Sequence, residues 1–165
     1  MAYLTQNPNQ TFMSPILGQV DMAVTPNTKA VMLDPASINV YAQAGSPVKL
    51  VAKAGHGEIF VDVCTGVTDG PIYGVVLYNL RKNKYAAGDM MEVGCRGTVV
   101  YLESSTTINR GARVNSTAAT ASADPLVTTV ANNTDWQLGV TLDQASAAND
   151  LVRVEIDPSD PNLAY

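Results

Sequence analysis

One histidine, two cysteines and a scatter of carboxylates are the side chains in this 165-residue sequence that could do acid–base, nucleophilic or metal chemistry. His56 lies between Gly55 and Gly57, an accessible place from which an imidazole could act as a general base. A lone imidazole rules out a two-histidine metal site and leaves one candidate for a catalytic triad. A histidine flanked by glycines is more simply a turn residue. Asp62, Asp69, Asp89, Glu92, Asp143 and Asp150 could meet in space as an acid–base pair. At strand ends, though, their plainest role is to cap turns. The chain holds no calcium-loop run of alternating aspartates, no Gly-x-Ser-x-Gly elbow, no phosphate loop and no His-Glu-x-x-His. Cys64 and Cys95 each lack a second Cys or His at metal spacing and read as free, mostly buried thiols. No catalytic residue, cofactor or metal is therefore expected, and the chain reads as a binding or structural part rather than an enzyme. The basic run Arg81-Lys82-Asn83-Lys84 is either a solvated hairpin tip or a contact that steers docking onto an acidic protein surface.

The elements that would position these groups are strands. Val152, Val154 and Ile156 alternate with Arg153 and Glu155, which is the period of a half-buried strand. Ile59, Val61 and Val63 share a face, as do Val48 with Leu50 and Val100 with Leu102. Ile72 to Tyr78, Leu126 to Val130 and Trp136 to Leu142 are further runs rich in β-branched and aromatic residues, with Ile38 to Tyr41 and Ala112 to Asn115 weaker. Gly45-Ser46-Pro47, Gly55-His56-Gly57, Asp69-Gly70-Pro71, Gly88-Asp89 and Asn109-Arg110-Gly111 punctuate them. Short strands at such spacing predict an all-β fold, a β-sandwich or barrel-like domain. The best helical scrap, Asp143 to Asn149, is about two turns at most. Residues 116–124 are small and polar and read as a surface loop.

Residues 1–36 differ from the rest. Pro8, Pro15, Pro26 and Pro35 interrupt every candidate helix or central strand, which predicts an extended N-terminal arm. The β domain then spans 37–156, and 157–165 form a short C-terminal tail. Charged residues are only 15% of the chain, so its polar surface comes from Asn, Thr, Ser and Gln and suits lasting protein contacts. Fifteen acidic against ten basic residues argue against binding nucleic acid or an anionic membrane. No apolar run is long enough for a membrane helix, and the first residues lack the pattern of a secretory signal. The protein is expected to be made and kept in a cytoplasm unless it leaves as part of a particle.

Two segments echo each other. Gly74-Val75-Val76-Leu77 is followed by Ala87-Gly88-Asp89 and Met91-Glu92-Val93; Gly139-Val140-Thr141-Leu142 is followed by Ala148-Asn149-Asp150 and Val152-Arg153-Val154. Each reads as a strand, an excursion, a turn with Asp and a returning strand. Duplication and the general likeness of hairpins both account for it.

Gly139-Val140-Thr141-Leu142-Asp143-Gln144-Ala145 and Asn149-Asp150-Leu151-Val152-Arg153-Val154-Glu155-Ile156, with Gly97-Thr98-Val99-Val100-Tyr101-Leu102 and Ile108-Asn109-Arg110-Gly111-Ala112-Arg113-Val114, resemble the small head cement or decoration proteins of tailed bacteriophages. The likeness covers roughly residues 70–156. It implies a β-sandwich or barrel, no catalytic residues, and a place in the virion on the outer face of an icosahedral head, assembled in the host cytoplasm. It also implies homotrimers at three-fold positions that clamp the major capsid protein. Candidate capsid contacts are Phe12, Ile16 and Leu17 on the arm and Arg81, Lys82 and Lys84 in the basic run. A tail, fibre or minor capsid subunit is the first rival. A carbohydrate-binding β module is the second, weakened by a single Trp and two Phe though seven Tyr are present. The third is a trimeric β enzyme with Asp89 and His56 meeting between subunits.

Overall fold

A computed structural model describes residues 15–159 apart from 22, 38–41, 54–56, 83, 117–123 and 133. The strands are β1 (Thr28–Leu33), β2 (Ala42–Gln43), β3 (Pro47–Leu50), β4 (Phe60–Val63), β5 (Ile72–Val76), β6 (Lys84–Tyr85), β7 (Met90–Gly94), β8 (Val99–Ser104), β9 (Arg113–Ser116), β10 (Leu126–Thr129), β11 (Gln137–Thr141) and β12 (Leu151–Ser159). Among the described residues there is no helix, and the fold is all-β.

The strands close two barrels in sequence. The first runs β1-β4-β3-β5-β7 and the second β10-β8-β12-β11-β9. Both have one wiring pattern. The first strand of each pairs in parallel with the third and antiparallel with the fifth; the second pairs with the third and fourth, and the fourth with the fifth. Even the registers match. Val48 faces Val63 and Gly74 in the first barrel, as Val114 faces Thr129 and Gly139 in the second. Val76 opposite Val93 is repeated by Thr141 opposite Val154, and Met32 opposite Met90 by Glu103 opposite Leu151.

The sequence echo falls on the equivalent hairpins β5–β7 and β11–β12, so it marks a structural repeat. The turn before each fifth strand is built alike. Gly88 (φ 86°) and Asn149 (φ 67°) take the left-handed conformation that glycine and asparagine tolerate best. Their N–H groups donate to the carbonyls of Leu33 and Ser104, and the next residues' carbonyls accept from the same pair. Asp89 Oδ2 accepts from the Ala86 N–H at 2.6 Å, and Asp150 Oδ2 from Ser146 and Ala147 at 2.7 and 2.9 Å.

This capping replaces the helical turn expected over Asp143 to Asn149. The carboxylate of Asp150 takes the amide hydrogens that a helix would direct elsewhere. Residues 28–33 fall in the stretch expected as an arm, yet they form β1. Pro26 and Pro35 lie just outside the strand, where proline costs no ladder hydrogen bond. Asp157 to Ser159, expected in the tail, extend β12, and Ser159 pairs with Gln137. Ile38 to Tyr41 lie outside the described residues.

Alternation fills each barrel. Val152, Val154 and Ile156 are fully buried, while Arg153 and Glu155 face outward. One core holds Val31, Leu33, Val48, Val61 and Val93. The other holds Val100, Leu102, Val114, Leu138 and Val154, joined by Ile72, Val75 and Leu77 from the first barrel. The outer side of β5 thus belongs to the second barrel's core, and the two barrels share packed apolar surface. Residues 15–21 lie along the second barrel. Gly18 donates to the Tyr101 carbonyl at 2.7 Å and accepts from Tyr78 at 2.9 Å, and Val20 bridges Val100. Arg153 holds this strap by reaching Asp21 at 3.2 Å while its fork grips both Asp143 oxygens at 2.8 Å.

Candidate interaction surface

The strap brings distant candidate residues together. Ile16, 37% exposed, and half-buried Leu17 meet Tyr78 and Lys84 along a groove of about 160 Å³, with Gln43 and Asp124 at its side. Gln43 donates to Asp124 Oδ1 at 2.8 Å. Phe12 lies outside the described residues.

Arg81 and Lys82 sit in the turn after β5. The Asn79 side chain accepts from the Arg81 N–H at 2.9 Å, which fixes the turn. Lys82 is committed to its own fold: it pairs with Asp89 at 2.6 Å and lies 5.7 Å above the Tyr85 ring. Arg81 and Lys84 are exposed and form no ion pair among the described residues. Between them and β5, Leu80 is 89% exposed, an apolar residue at a charged tip that sequence reasoning passed over. A leucine beside Arg-Lys in a turn opened by Asn was the available signal.

Several of the carboxylates that could have carried chemistry are engaged in ion pairs and turn hydrogen bonds. Asp69 binds Lys49 at 2.5 Å and the Thr65 amide at 2.9 Å. Asp62 accepts from the Ser37 hydroxyl at 2.5 Å. Asp34 pairs with Lys53, whose ammonium lies 4.9 Å above the Phe60 ring. His56 lies outside the described residues. Among the described residues no group of three or more His, Cys, Asp or Glu could hold a metal ion. Cys64 and Cys95 are free and buried. Burial and the nearby Asp69 charge push the Cys64 thiol up to about 12, which leaves it a poor nucleophile at neutral pH.

These carboxylates should make the stability of the protein fall in acid. Hydrogen bonds from Lys82 to Asp89, from Arg153 to Asp143 and from the Ala147 amide to Asp150 hold these carboxyls below their usual 3.8. A depressed folded-state pKa contributes stability that is present above the unfolded value and lost as pH falls through the folded one. Glu103 works in the opposite sense, raised by burial and by Asp124. The depressed groups outnumber it, so the urea midpoint should fall between pH 5 and pH 3. Asp143→Asn should flatten that fall; an unchanged slope would show that the Arg153 pair contributes nothing.

A family model described as phage cement protein matches residues 42–156. The likeness read over roughly 70–156 thus extends through most of the first barrel. No curated protein matches the chain. Among solved structures, the N base of the head fiber gp8.5 of bacteriophage phi29 superposes with a TM-score of 0.51 at 12% identity. The superposition covers 81% of this chain and 95% of that one, and at this identity it shows a shared fold.

Proposed function

The chain belongs to the phage cement protein family, and we propose that it clamps neighbouring copies of the major capsid protein from the outer face of an icosahedral head. As a member of that family it is a structural component of the virion that binds and stabilises the capsid. The match over residues 42–156 carries the reading. The acidic balance supports an outward position, away from packaged nucleic acid and from membranes. In this reading the protein assembles in the host cytoplasm and works as a homotrimer without catalysis. The N-terminal arm, with Phe12, and the C-terminal tail cross onto neighbours. The groove with Ile16, Leu17 and Lys84, together with Arg81 and Lys82 at the adjacent tip, contacts the shell. A ligand of the assembled shell stabilises that shell by mass action, and three-fold engagement spares each contact from being tight.

Purified protein should co-sediment saturably with expanded, undecorated heads, at a stoichiometry set by their three-fold positions. Decorated heads should then rupture at a higher temperature than bare ones, and equal rupture temperatures would sink the proposal. Reversing the charge of Arg81 and Lys84 together should weaken pelleting by about tenfold, chiefly through slower association. A second reading, the base of a fiber on the head, draws on the fold shared with the phi29 head fiber base. Absence of pelleting on intact, expanded heads would favour a part placed elsewhere on the particle.

A further inference from the structure

The repeated barrels meet through unlike faces, and the counterpart of each face is left open. The Gln43–Gly45 corner of the first barrel packs on the second barrel's end at Asp124 and Pro125. Gln43 bonds Asp124, and a Cβ placed on Gly45 would sit 3.1 Å from Pro125. Pro125 and Ser116 are buried there. By strand register, their equivalents in the first barrel are Ile59 and Leu50, with Glu58 in the place of Asp124. Among the described residues, that end of the first barrel has no such cover. Leu50 is 56% exposed, Ile59 37% and Met90, the next-but-one strand's contribution, 52%.

The other half of the junction is open on the second barrel. The corner equivalent to Gln43–Gly45 is Asn109-Arg110-Gly111, and all three residues are exposed. Behind it lies a groove of about 440 Å³ lined by Ala112, Arg113, Val130 and Asn132. In the first barrel the matching Ser46 and Cys64 are fully buried, Cys64 within the core shared with the second barrel. Charge is complementary as well: Glu58 and Arg110 are exposed, and neither forms an ion pair among the described residues.

We propose that the Asn109–Gly111 corner of one copy docks on the Leu50–Ile59–Met90 end of the next, repeating between chains the junction that joins the barrels within one. Asn109 stands where Gln43 stands and meets Glu58 as Gln43 meets Asp124, with Arg110 adding an ion pair. The exposed leucine, isoleucine and methionine gain the cover that Pro125 has. Such a contact is heterologous and closes into a ring when its rotation permits. The inference rests on the self-association in the reading above and gives it a surface.

Sedimentation velocity of the full chain, with Glu58→Arg, Arg110→Glu and the double variant, tests it. The wild type should sediment as a closed oligomer. Each single reversal should weaken association by on the order of a hundredfold, and the double should restore it, because like charges in contact cost more than either charge exposed. At concentrations where the wild type is dissociated, the thermal midpoint of Glu58→Arg should stay with the wild type, since that side chain is exposed. An oligomer that survives both single reversals overturns the contact while leaving the trimer standing. A wild type that stays monomeric overturns both. Monomers whose Glu58→Arg form no longer pellets on heads would assign this end to the capsid and likewise overturn the proposal. Pelleting of the wild type, scored separately, tests the cement reading itself.

Discussion

Gly139→Ala should lower the thermal midpoint by roughly 6–12 °C, the largest effect expected of a methyl group added to any described glycine. A Cβ built on Gly139 would lie 2.0 Å from the carbonyl oxygen of Glu155, 3.0 Å from its carbon and 3.2 Å from the Asp157 nitrogen. All three are backbone atoms of β12, so no side chain can swing aside. The strand itself must move away from β11, and the interior registers at Thr141–Val154 and Val140–Glu155 move with it. Overpacking on this scale costs about 3 kcal/mol or more. The repeat supplies an internal control. Gly74 faces the Gly94 carbonyl in the same way, with a Cβ at 2.5 Å. Gly74→Ala should therefore destabilise in the same direction but less. Circular dichroism melts of both variants check the pair. A Gly139→Ala midpoint within about 1 °C of the wild type would mean that the strands have slack the close approach denies.

The glycines and aspartates that make this hairpin are also why it was legible in the sequence. A backbone in van der Waals contact with another strand admits only Gly, and a carboxylate that caps a turn recurs wherever the turn does. The rest of the repeat left no such trace. Leu33 of β1 is matched by Ser104 of β8, Leu50 by Ser116 and Met32 by Glu103. What the barrels share there is main-chain pairing, which does not select a side chain. β8 and β12 were readable because each alternates cleanly between a buried and a solvated face. β1 was hidden because Lys29 and Ala30 are both exposed, which breaks the alternation, and because prolines bracket it. The meeting of Ile16 and Leu17 with Lys84 depends on the strap bonding to Tyr101 and Tyr78, long-range contacts that no local pattern announces. Leu50 and Ile59 alternate like ordinary strand residues. Their exposure follows from which barrel end lacks a neighbour, a property of the assembly rather than of the segment.

Leu102→Ala should cost about 2–5 kcal/mol and should lower the stability of both barrels together. Leu102 is 1% exposed in the second barrel's core, where loss of its branch leaves a cavity that the closed strands cannot collapse to fill. Ile72, Val75 and Leu77 of the first barrel pack in that same core. Opening the second barrel therefore bares the outer side of β5, and the first barrel loses the surface on which that strand rests. Two barrels of about seventy residues each would be marginal alone, since small cores bury too little of their surface. The shared core makes them one cooperative unit, so calorimetry should give a single transition whose midpoint falls as a whole in the variant. Two transitions, with only the later-sequence barrel displaced, would show instead that the barrels fold independently and that the β5 face is a contact between finished domains. A single transition would also bear on the proposed junction between copies. That junction is built to the same pattern from residues left exposed, so it should add stability as protein concentration rises, and the midpoint should climb with it.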